Sequence, residues 1–285
     1  MEPEDAGRIA RGLEPLHGMT YFAPETEQHL TGVGLKPGRM SYFAGRSAPM
    51  GAVGSAVVAA AFYNFNPALV GRSIPAAWSL ADPSDVVAAR FASVDAALRR
   101  MLGDEVLTSP EVAEAAGLAR RAAEAARPEG RPLAAAHLSV EWPTEPHLVL
   151  WHALSILREH RGDGHIALLV DAGLTGIEAI VTHVASGKGF LLAFAQASRG
   201  WSEDEWGAAV AGLTERGLLD DQGALTAQGA DLRNRIEADT NRVGFGPWAH
   251  LGADGAARLG ELGGTVVRAL LAAGCFPPEV FPARR

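Results

Sequence analysis

Apolar residues recur at intervals of three and four along most of the chain, which is the spacing of amphipathic helices. In residues 83–102, Val87, Phe91 and Leu98 fall on one helix face, and Ser84 is the predicted N-cap. This segment is therefore predicted to be a helix that packs along one side. The same spacing predicts further helices in these ranges: 8–22, 25–31, 112–126, 147–161, 165–172, 176–185, 202–216, 227–240 and 253–274.

Three segments depart from this spacing. Residues 53–63 are almost wholly apolar, so a helix there would be buried on all sides. Asp163-Gly164 follows the helix predicted for 147–161, and a glycine at this point predicts that the helix ends there. Residues 218–226, between two predicted helices, have apolar ends around a polar turn and predict a small β-hairpin.

The composition is that of a globular protein, because 48% of the 285 residues are hydrophobic and 20% are charged. The formal net charge of −8 disfavours DNA binding, which usually depends on a basic face. Cys275 is the single cysteine, which excludes an intramolecular disulfide and a thiolate zinc cluster and favours a cytoplasmic location. The chain begins without an apolar signal segment, and its longest apolar run, 52–62, is shorter than the ~20 residues that span a membrane. A membrane is therefore not expected as a partner.

Short matches recur between the two halves of the chain. Residues 83–85 match 201–203, and residues 107–108 match 225–226 at the same separation. These matches predict that one helical unit is present twice. The predicted organisation is a first winged-helix-like unit at 8–127, a connector at 128–146, a second unit at 147–241 and a C-terminal helix within 242–285.

Residues 201–240 are similar to the end of a MarR-like winged helix. They contain, in order, a recognition-type helix, an Arg-Gly-Leu-Leu strand, a wing turn and a final helix. The stretches YFAPE, YFAGRSAPMG, EPHLVLWHA and LREHRGDGH together resemble an actinobacterial family of helix-turn-helix proteins, over essentially the whole chain. The resemblance implies a helix-turn-helix fold but neither a reaction nor catalytic residues. The predicted fold class is mainly α, with tandem (duplicated) winged-helix-like units and small β-hairpin wings.

The two predicted recognition helices have few of the cations that contact with DNA requires. In the second unit, residues 203–205 are acidic and the wing turn is Asp220-Asp221, so both would repel phosphates. In the first unit the helix is only weakly basic, and the wing is reduced to residues 103–105. Nucleic acid is therefore disfavoured as a partner.

A dense polar cluster within residues 151–165 predicts where a ligand binds. If the two units pair about a pseudo-twofold axis, His17 faces His152, because the two residues occupy matching positions. MarR-type proteins bind aromatic molecules between their dimer halves, and by analogy we expect a small apolar or aromatic ligand here. The predicted ligand-binding residues are His17, Tyr21, Tyr42, Arg46, Tyr63, Asn64, Trp151, His152, Arg158 and Asp163, and the catalytic candidates are His152, His160 and His165.

These residue types are compatible with three functions. Histidine exchanges protons near neutral pH, and Arg46 or Arg158 could hold an anionic group. The first function is a small-molecule-binding protein, or a secondary-metabolism enzyme, that has lost DNA binding. The second is a ligand-responsive MarR-like transcriptional regulator, and the third is a haem- or metal-dependent enzyme that uses the histidines. The cofactor is unknown, no metal ligands are assigned, and a homodimer is left open.

Overall fold

The computed structural model describes residues 1–280, which form sixteen α-helices, three short 3-10 helices and no β-strand. The α-helices are α1 (Pro3–Gly18), α2 (Pro24–Gly32), α3 (Arg39–Ser47), α4 (Ser55–Phe62), α5 (Pro67–Gly71), α6 (Pro83–Leu102), α7 (Asp104–Leu107), α8 (Pro110–Glu124), α9 (Pro132–Leu138), α10 (Pro146–Asp171), α11 (Gly176–Ala185), α12 (Leu192–Arg199), α13 (Glu203–Glu215), α14 (Ala227–Val243), α15 (Gly246–Leu251) and α16 (Ala253–Ala272).

The long helix α10 is the axis of the molecule. It has 26 residues, begins with Pro146 at its first position and packs against α1, α8, α9 and α14. Residues 148–157 are buried on every side. The buried face of α8 is largely alanine, so the two helix backbones approach closely. Helices α1, α8, α15 and α16 complete a central bundle around the first half of α10.

Two lobes with separate hydrophobic cores flank the central bundle. The first lobe (residues 24–81, containing α2 to α5) has a core that includes Phe43, Phe62 and Ile74. The second lobe (residues 174–243, containing α11 to α14) has a core that includes Ile180 and Leu213. Each lobe contributes side chains to the space between them.

The lobes touch through the segment that follows α4. The Tyr63 hydroxyl donates a hydrogen bond to the carbonyl of Leu174, and Trp201 Nε1 donates to the carbonyl of Asn64 at 2.9 Å. The backbone N–H of Asn66 donates to the carbonyl of Arg199 at 2.9 Å. Tyr63 adopts a φ of +42°, which non-glycine residues rarely adopt. The contact therefore consists largely of main-chain groups, and it includes one backbone conformation of high energy.

The predicted β-hairpin wings are wrong. In the second lobe the segment between α13 and α14 forms one isolated bridge, Leu219 to Leu225, and no ladder. The Asp220 carboxylate accepts the N–H groups of Gln222 and Ala224 at 2.9 Å, so the turn is held by a side chain. Thr226, predicted as part of a strand, is the N-cap of α14. The turn and the two helix ends leave too few residues for paired strands.

The first predicted wing is also absent. Residues 104–107 form the short helix α7, and Gly103, with a φ of +77°, ends α6 and precedes α7. The predicted N-cap of α6 is wrong as well, because Asp82 accepts the N–H of Ser84 at 2.9 Å and Pro83 is the first helical residue. Ser202 and Glu205 form a capping box at the start of α13.

The predicted break at Asp163-Gly164 is wrong, because α10 continues through both residues. A Cβ at Gly164 would lie 2.9 Å from Val243 Cγ2 and would collide with the guanidinium of Arg131. This glycine therefore permits close packing and does not end the helix. The Asp163 carboxylate accepts hydrogen bonds from the main chain of α9.

The remaining organisation is compatible with the predicted ranges but does not test them. The connector 128–146 contains α9, whose Leu133, Ala134 and His137 are buried. The C-terminal segment contains α15 and α16, and residues 281–285 lie outside the described residues. The duplication and the domain boundaries stay predictions. No single helix in residues 1–280 is long and apolar enough to cross a membrane, and α10 with α11 meets that criterion only as a pair bent by 102°.

A buried ion pair joins the first lobe to α10. Glu159, which is 1% exposed, accepts hydrogen bonds from Arg46 Nε at 3.0 Å and Nη2 at 2.8 Å. It also accepts one from Arg158 Nη1 at 2.8 Å. Burial alone would raise the pKa of Glu159, but the charges of Arg158 and Arg46 hold it well below its usual value. The carboxylate is therefore ionised at neutral pH.

Replacing Glu159 with glutamine should strongly destabilise the fold. The substitution keeps the volume but leaves Arg46 without its buried counter-ion, so we expect the free energy of unfolding to fall by about 3–5 kcal/mol. Urea denaturation at pH 7 measures this. Because the folded pKa lies below the unfolded value of about 4.3, this contribution is present above about pH 4 and is lost as the pH falls through the folded pKa.

Glu14→Gln is the matched control for this prediction. Glu14 also bonds Arg158, at 3.0 Å, but its side chain is 46% exposed. Exposed ion pairs contribute ~0–1 kcal/mol, so this variant should unfold nearly as the wild type does. Equal losses in the two variants would contradict the assigned role of Glu159.

Candidate functional site

A cavity of about 440 Å³ lies between the two lobes, with α1 and α10 as its other walls. Its lining is both aromatic and cationic. Six arginines face it, and Glu14 is the single carboxylate among its described lining residues. Its aromatic, histidine and arginine lining residues are His17, Tyr42, Phe62, Tyr63, Phe65, His165, His183, Phe190 and Trp248, with Arg11, Arg46, Arg158, Arg161, Arg199 and Arg233.

The structure brings seven of the predicted site residues to this cavity. They come from α1, from the first lobe and from α10, which are far apart in the chain. The seven are His17, Tyr42, Arg46, Tyr63, Asn64, Arg158 and His165.

Hydrogen bonds determine the protonation of His17. The Ser155 hydroxyl donates to the carbonyl of Trp151 at 2.8 Å, so it must accept from His17 Nδ1, also at 2.8 Å. His17 Nε2 then accepts from the Tyr21 hydroxyl at 3.0 Å. Burial, and next the charge of Arg158, lower the pKa of His17 well below its usual value. His17 is therefore neutral, and both of its ring nitrogens are already bonded within the protein.

His165 differs because one of its nitrogens has no partner. The Thr240 hydroxyl donates to the carbonyl of Ile236 at 2.6 Å, so His165 Nδ1 donates to Thr240 at 2.8 Å. Burial, and then the charge of Arg233, lower the pKa of His165 to about 4. The ring is neutral at pH 7, and its Nε2 lone pair makes no hydrogen bond with residues 1–280. Nε2 can accept a hydrogen bond or a proton from a ligand in the cavity.

Three predicted residues lie in the interior of the central bundle and do not line the cavity. Trp151 is 1% exposed and stacks on His17, with ring centroids 5.9 Å apart. His152 packs edge-on against Trp142 at 4.8 Å, and burial lowers its pKa to about 4. His160 is buried, and its main-chain carbonyl accepts a hydrogen bond from Arg131. The predicted pairing of His17 with His152 is not seen, because His17 contacts the neighbouring Trp151.

Tyr21 lies in a second, adjoining cavity of about 280 Å³. Tyr42 and Arg46 line both cavities, so they form the wall between them. The Tyr21 hydroxyl lies 3.5 Å from Arg90 Nη2, which makes it an acceptor from Arg90 as well as a donor to His17. Tyr21 therefore supports the site from behind His17.

Asp163 caps α9. Its carboxylate accepts the backbone N–H groups of Leu133 at 3.0 Å and Ala134 at 2.9 Å. These are groups of the first helical turn, which have no partner within the helix. Burial raises the pKa of Asp163 to about 6. Its described contacts are structural, and it does not line the cavity.

Several cavity residues were missed by the sequence reasoning. Arg199 and Arg233 come from the second lobe, together with His183 and Phe190. Each is an isolated residue in an ordinary amphipathic helix or loop, so no local pattern identifies it. Glu159, which holds Arg46 and Arg158 in the buried ion pair, was also missed, because a lone glutamate within a helix has no local pattern that distinguishes it from a solvent-exposed one.

The histidines do not assemble into a metal site. Within residues 1–280, no three histidine, cysteine, aspartate or glutamate side chains are grouped closely enough to hold a metal ion.

A family model described as a helix-turn-helix family matches residues 6–277. The chain belongs to this helix-turn-helix family. No curated protein and no solved structure matches the chain.

In the second lobe of this helix-turn-helix protein, two successive helices are joined by a short turn. α12 and α13 are joined by three residues, Gly200-Trp201-Ser202, and Gly200 has a φ of +75°. The first lobe contacts this turn, since Trp201 donates to Asn64. The first turn of α13 is acidic and exposed.

The pKa of Asp163 predicts a pH dependence of stability. The pKa of about 6 in the folded protein exceeds the unfolded value of about 3.9. The contribution of Asp163 to the free energy of unfolding is therefore fully present below about pH 4 and is lost as the pH rises through 6. Asp163→Asn keeps an oxygen acceptor and cannot ionise. We expect its stability relative to the wild type to increase by about 2–3 kcal/mol between pH 4 and pH 7, measured by urea denaturation.

The exposed Asp221 provides the control. Asp221→Asn should leave the difference from the wild type constant over the same pH range, because this side chain makes no described contact. A constant difference for Asp163→Asn as well would refute the assignment of the titration to Asp163.

Proposed function

We propose that this protein binds a small molecule with an aromatic or apolar body in the cavity between its two lobes. The observation that carries the proposal is the cavity itself, about 440 Å³ with walls from both lobes, α1 and α10. Ligand pockets in proteins typically measure roughly 300–1,000 Å³ and combine apolar walls with a few polar groups.

The lining supports this choice of ligand. Phe62, Phe65, Tyr42 and Trp248 supply aromatic surface that would stack on a ring. The free Nε2 of His165 would accept a hydrogen bond from a ligand hydroxyl or amine. This arrangement is compatible with a binder and with an enzyme in which His165 takes up a proton.

Filling the cavity should abolish binding without unfolding the protein. Ile166 lies on α10 and lines the cavity, so Ile166→Trp should occupy the space that a ligand needs. We use the neutral fluorescent probe N-phenyl-1-naphthylamine and expect at least a tenfold weaker affinity for the variant, measured by titration of probe fluorescence.

Val170→Trp is the matched control, because Val170 lies one turn further along α10 and is 59% exposed. It should bind the probe as the wild type does. Near-ultraviolet circular dichroism establishes that both variants keep their tertiary packing. If the wild type binds neither this probe nor its sulfonated analogue, or if Ile166→Trp binds the probe unchanged, the cavity is not the binding site.

The second candidate is a ligand-responsive, MarR-like transcriptional regulator. Membership of a helix-turn-helix family favours it. The charges oppose it, because Arg99 and Arg100 of α6 form ion pairs with Asp95, Asp104 and Glu25. Few free cations remain on α6 to contact phosphates.

The second lobe opposes DNA binding in the same way. The Glu205 carboxylate accepts from Ser202 and lies 3.3 Å from Asn66 Nδ2 of the first lobe. The N-terminal end of a recognition helix is the part that reads base edges. Here that end is acidic, and Asn66 of the other lobe contacts its Glu205.

A DNA-binding assay separates the two candidates. Specific regulators bind their sites at roughly 10⁻⁸–10⁻¹¹ M. We expect no electrophoretic shift of DNA from upstream of this protein's own coding sequence at sub-micromolar protein, with or without probe. A shift that weakens steeply with added salt would favour the regulator.

A further inference from the structure

Arg199 is a buried cation without a counter-ion among residues 1–280. It is 9% exposed, at the end of α12, and its guanidinium lies between the rings of Phe65 at 4.5 Å and Phe190 at 4.7 Å. Its Nε donates to Asn64 Oδ1 at 3.2 Å, and its Nη1 donates to Ser198 Oγ at 2.7 Å. Both acceptors are neutral. Nη2 has no acceptor among residues 1–280, although the side chain lines the cavity.

This arginine nevertheless keeps its charge. Burial lowers the pKa of Arg199 to about 10, which is still well above neutral pH. A charge in such a position is costly unless it is paired. The two phenylalanine faces offset part of that cost through cation–π contacts. The remaining N–H groups stay available for an acceptor in the cavity.

A second arginine of the same wall also has no close carboxylate among the described residues. Arg233 Nη2 lies 3.3 Å from His183 Nδ1, the only hydrogen-bond partner of its side chain in the described chain. His183 is neutral, since burial and then the charge of Arg233 lower its pKa to about 4, with a smaller effect from Arg199. The charges of both arginines therefore lower the pKa of the same histidine, His183. Glu237, one turn along α14, attracts Arg233 only at longer range.

Each of the other four arginines of the cavity forms an ion pair with a carboxylate. Arg46 and Arg158 share Glu159, and Arg158 also bonds Glu14. Arg11 and Arg161 share Glu237, at 2.7 and 2.6 Å. The sequence predicts that Arg46 or Arg158 could hold an anionic group. Both are already paired with carboxylates of the protein. The two cavity arginines without a close carboxylate among residues 1–280 are both on the second-lobe wall.

We propose that Arg199 and Arg233 form an anion subsite in this cavity, so that the ligand is an organic anion with an aromatic or apolar body. The inference rests on the proposed function and specifies its ligand class. The acidic group would accept from the free N–H groups of Arg199 and Arg233. The body of the ligand would lie against the aromatic residues of the first lobe.

Two probes that differ only in charge test this. 8-Anilinonaphthalene-1-sulfonate is N-phenyl-1-naphthylamine with one added sulfonate. The wild type should bind the sulfonate at least tenfold more tightly than the neutral probe, and added potassium chloride should weaken only the sulfonate. Arg199→Gln and Arg233→Gln, which keep a donor and remove the charge, should each weaken sulfonate binding about tenfold and change neutral-probe binding less than twofold.

Arg216→Gln is the control, because it removes the same charge from an exposed arginine that pairs with Glu178 outside the cavity. It should change neither affinity. The two arginine variants are independent tests, and near-ultraviolet circular dichroism identifies either one that fails to fold.

The outcomes separate the two proposals. If the wild type binds neither probe, the proposed function is wrong. If it binds the neutral probe as tightly as the sulfonate, and both arginine variants bind the sulfonate like the wild type, the cavity binds ligands but the anion subsite is wrong. A selective loss of sulfonate binding in either folded variant supports the subsite.

Discussion

The buried carboxylate of Glu159 is the charge on which the arrangement of this protein depends. It lies on the central helix α10 and holds Arg46 of the first lobe and Arg158 of its own helix. Without it, two cations would face each other across a desolvated interface. With it, an ion pair anchors the first lobe to α10, and the same Arg46 side chain lines the cavity. The packing of the lobe and one wall of the cavity therefore share this contact.

The two lobes make different contributions to the cavity. The first lobe supplies aromatic rings and, through Tyr63 and Asn64, the main-chain contacts that hold the second lobe at a fixed distance. The second lobe supplies Arg199 and Arg233. α10 contributes His165, whose hydrogen bond to Thr240 fixes which nitrogen is free. A ligand would thus meet an apolar wall on one side and donors on the other.

Local patterns predicted most of the helices, because period and capping are encoded within a few residues, as at Ser202 and Glu205. They did not predict which tertiary contacts the charged residues make. Asp163-Gly164 has the composition of a helix end, yet α10 continues through both residues. Asp163 accepts hydrogen bonds from α9, and Gly164 packs against Arg131 and Val243. The β-hairpin was wrong because Asp220 and Thr226 cap the adjoining turn and helix. Seven residues predicted for a ligand site line the cavity, whereas the positions of Arg199 and Arg233 on its wall follow only from the packing of the lobes.

The contrast between the outside and the inside of the molecule has a kinetic consequence. The chain carries a net charge of −8, whereas the cavity wall carries two arginines without close counter-ions in the part of the chain that the structure describes. An approaching anion would first meet repulsion and would be attracted only within the cavity. Because the Debye length is about 8 Å at physiological ionic strength, salt screens the outer repulsion more than the inner attraction. Moderate salt would therefore speed the entry of an anion and weaken its attraction to the two arginines. Association and dissociation would both become faster.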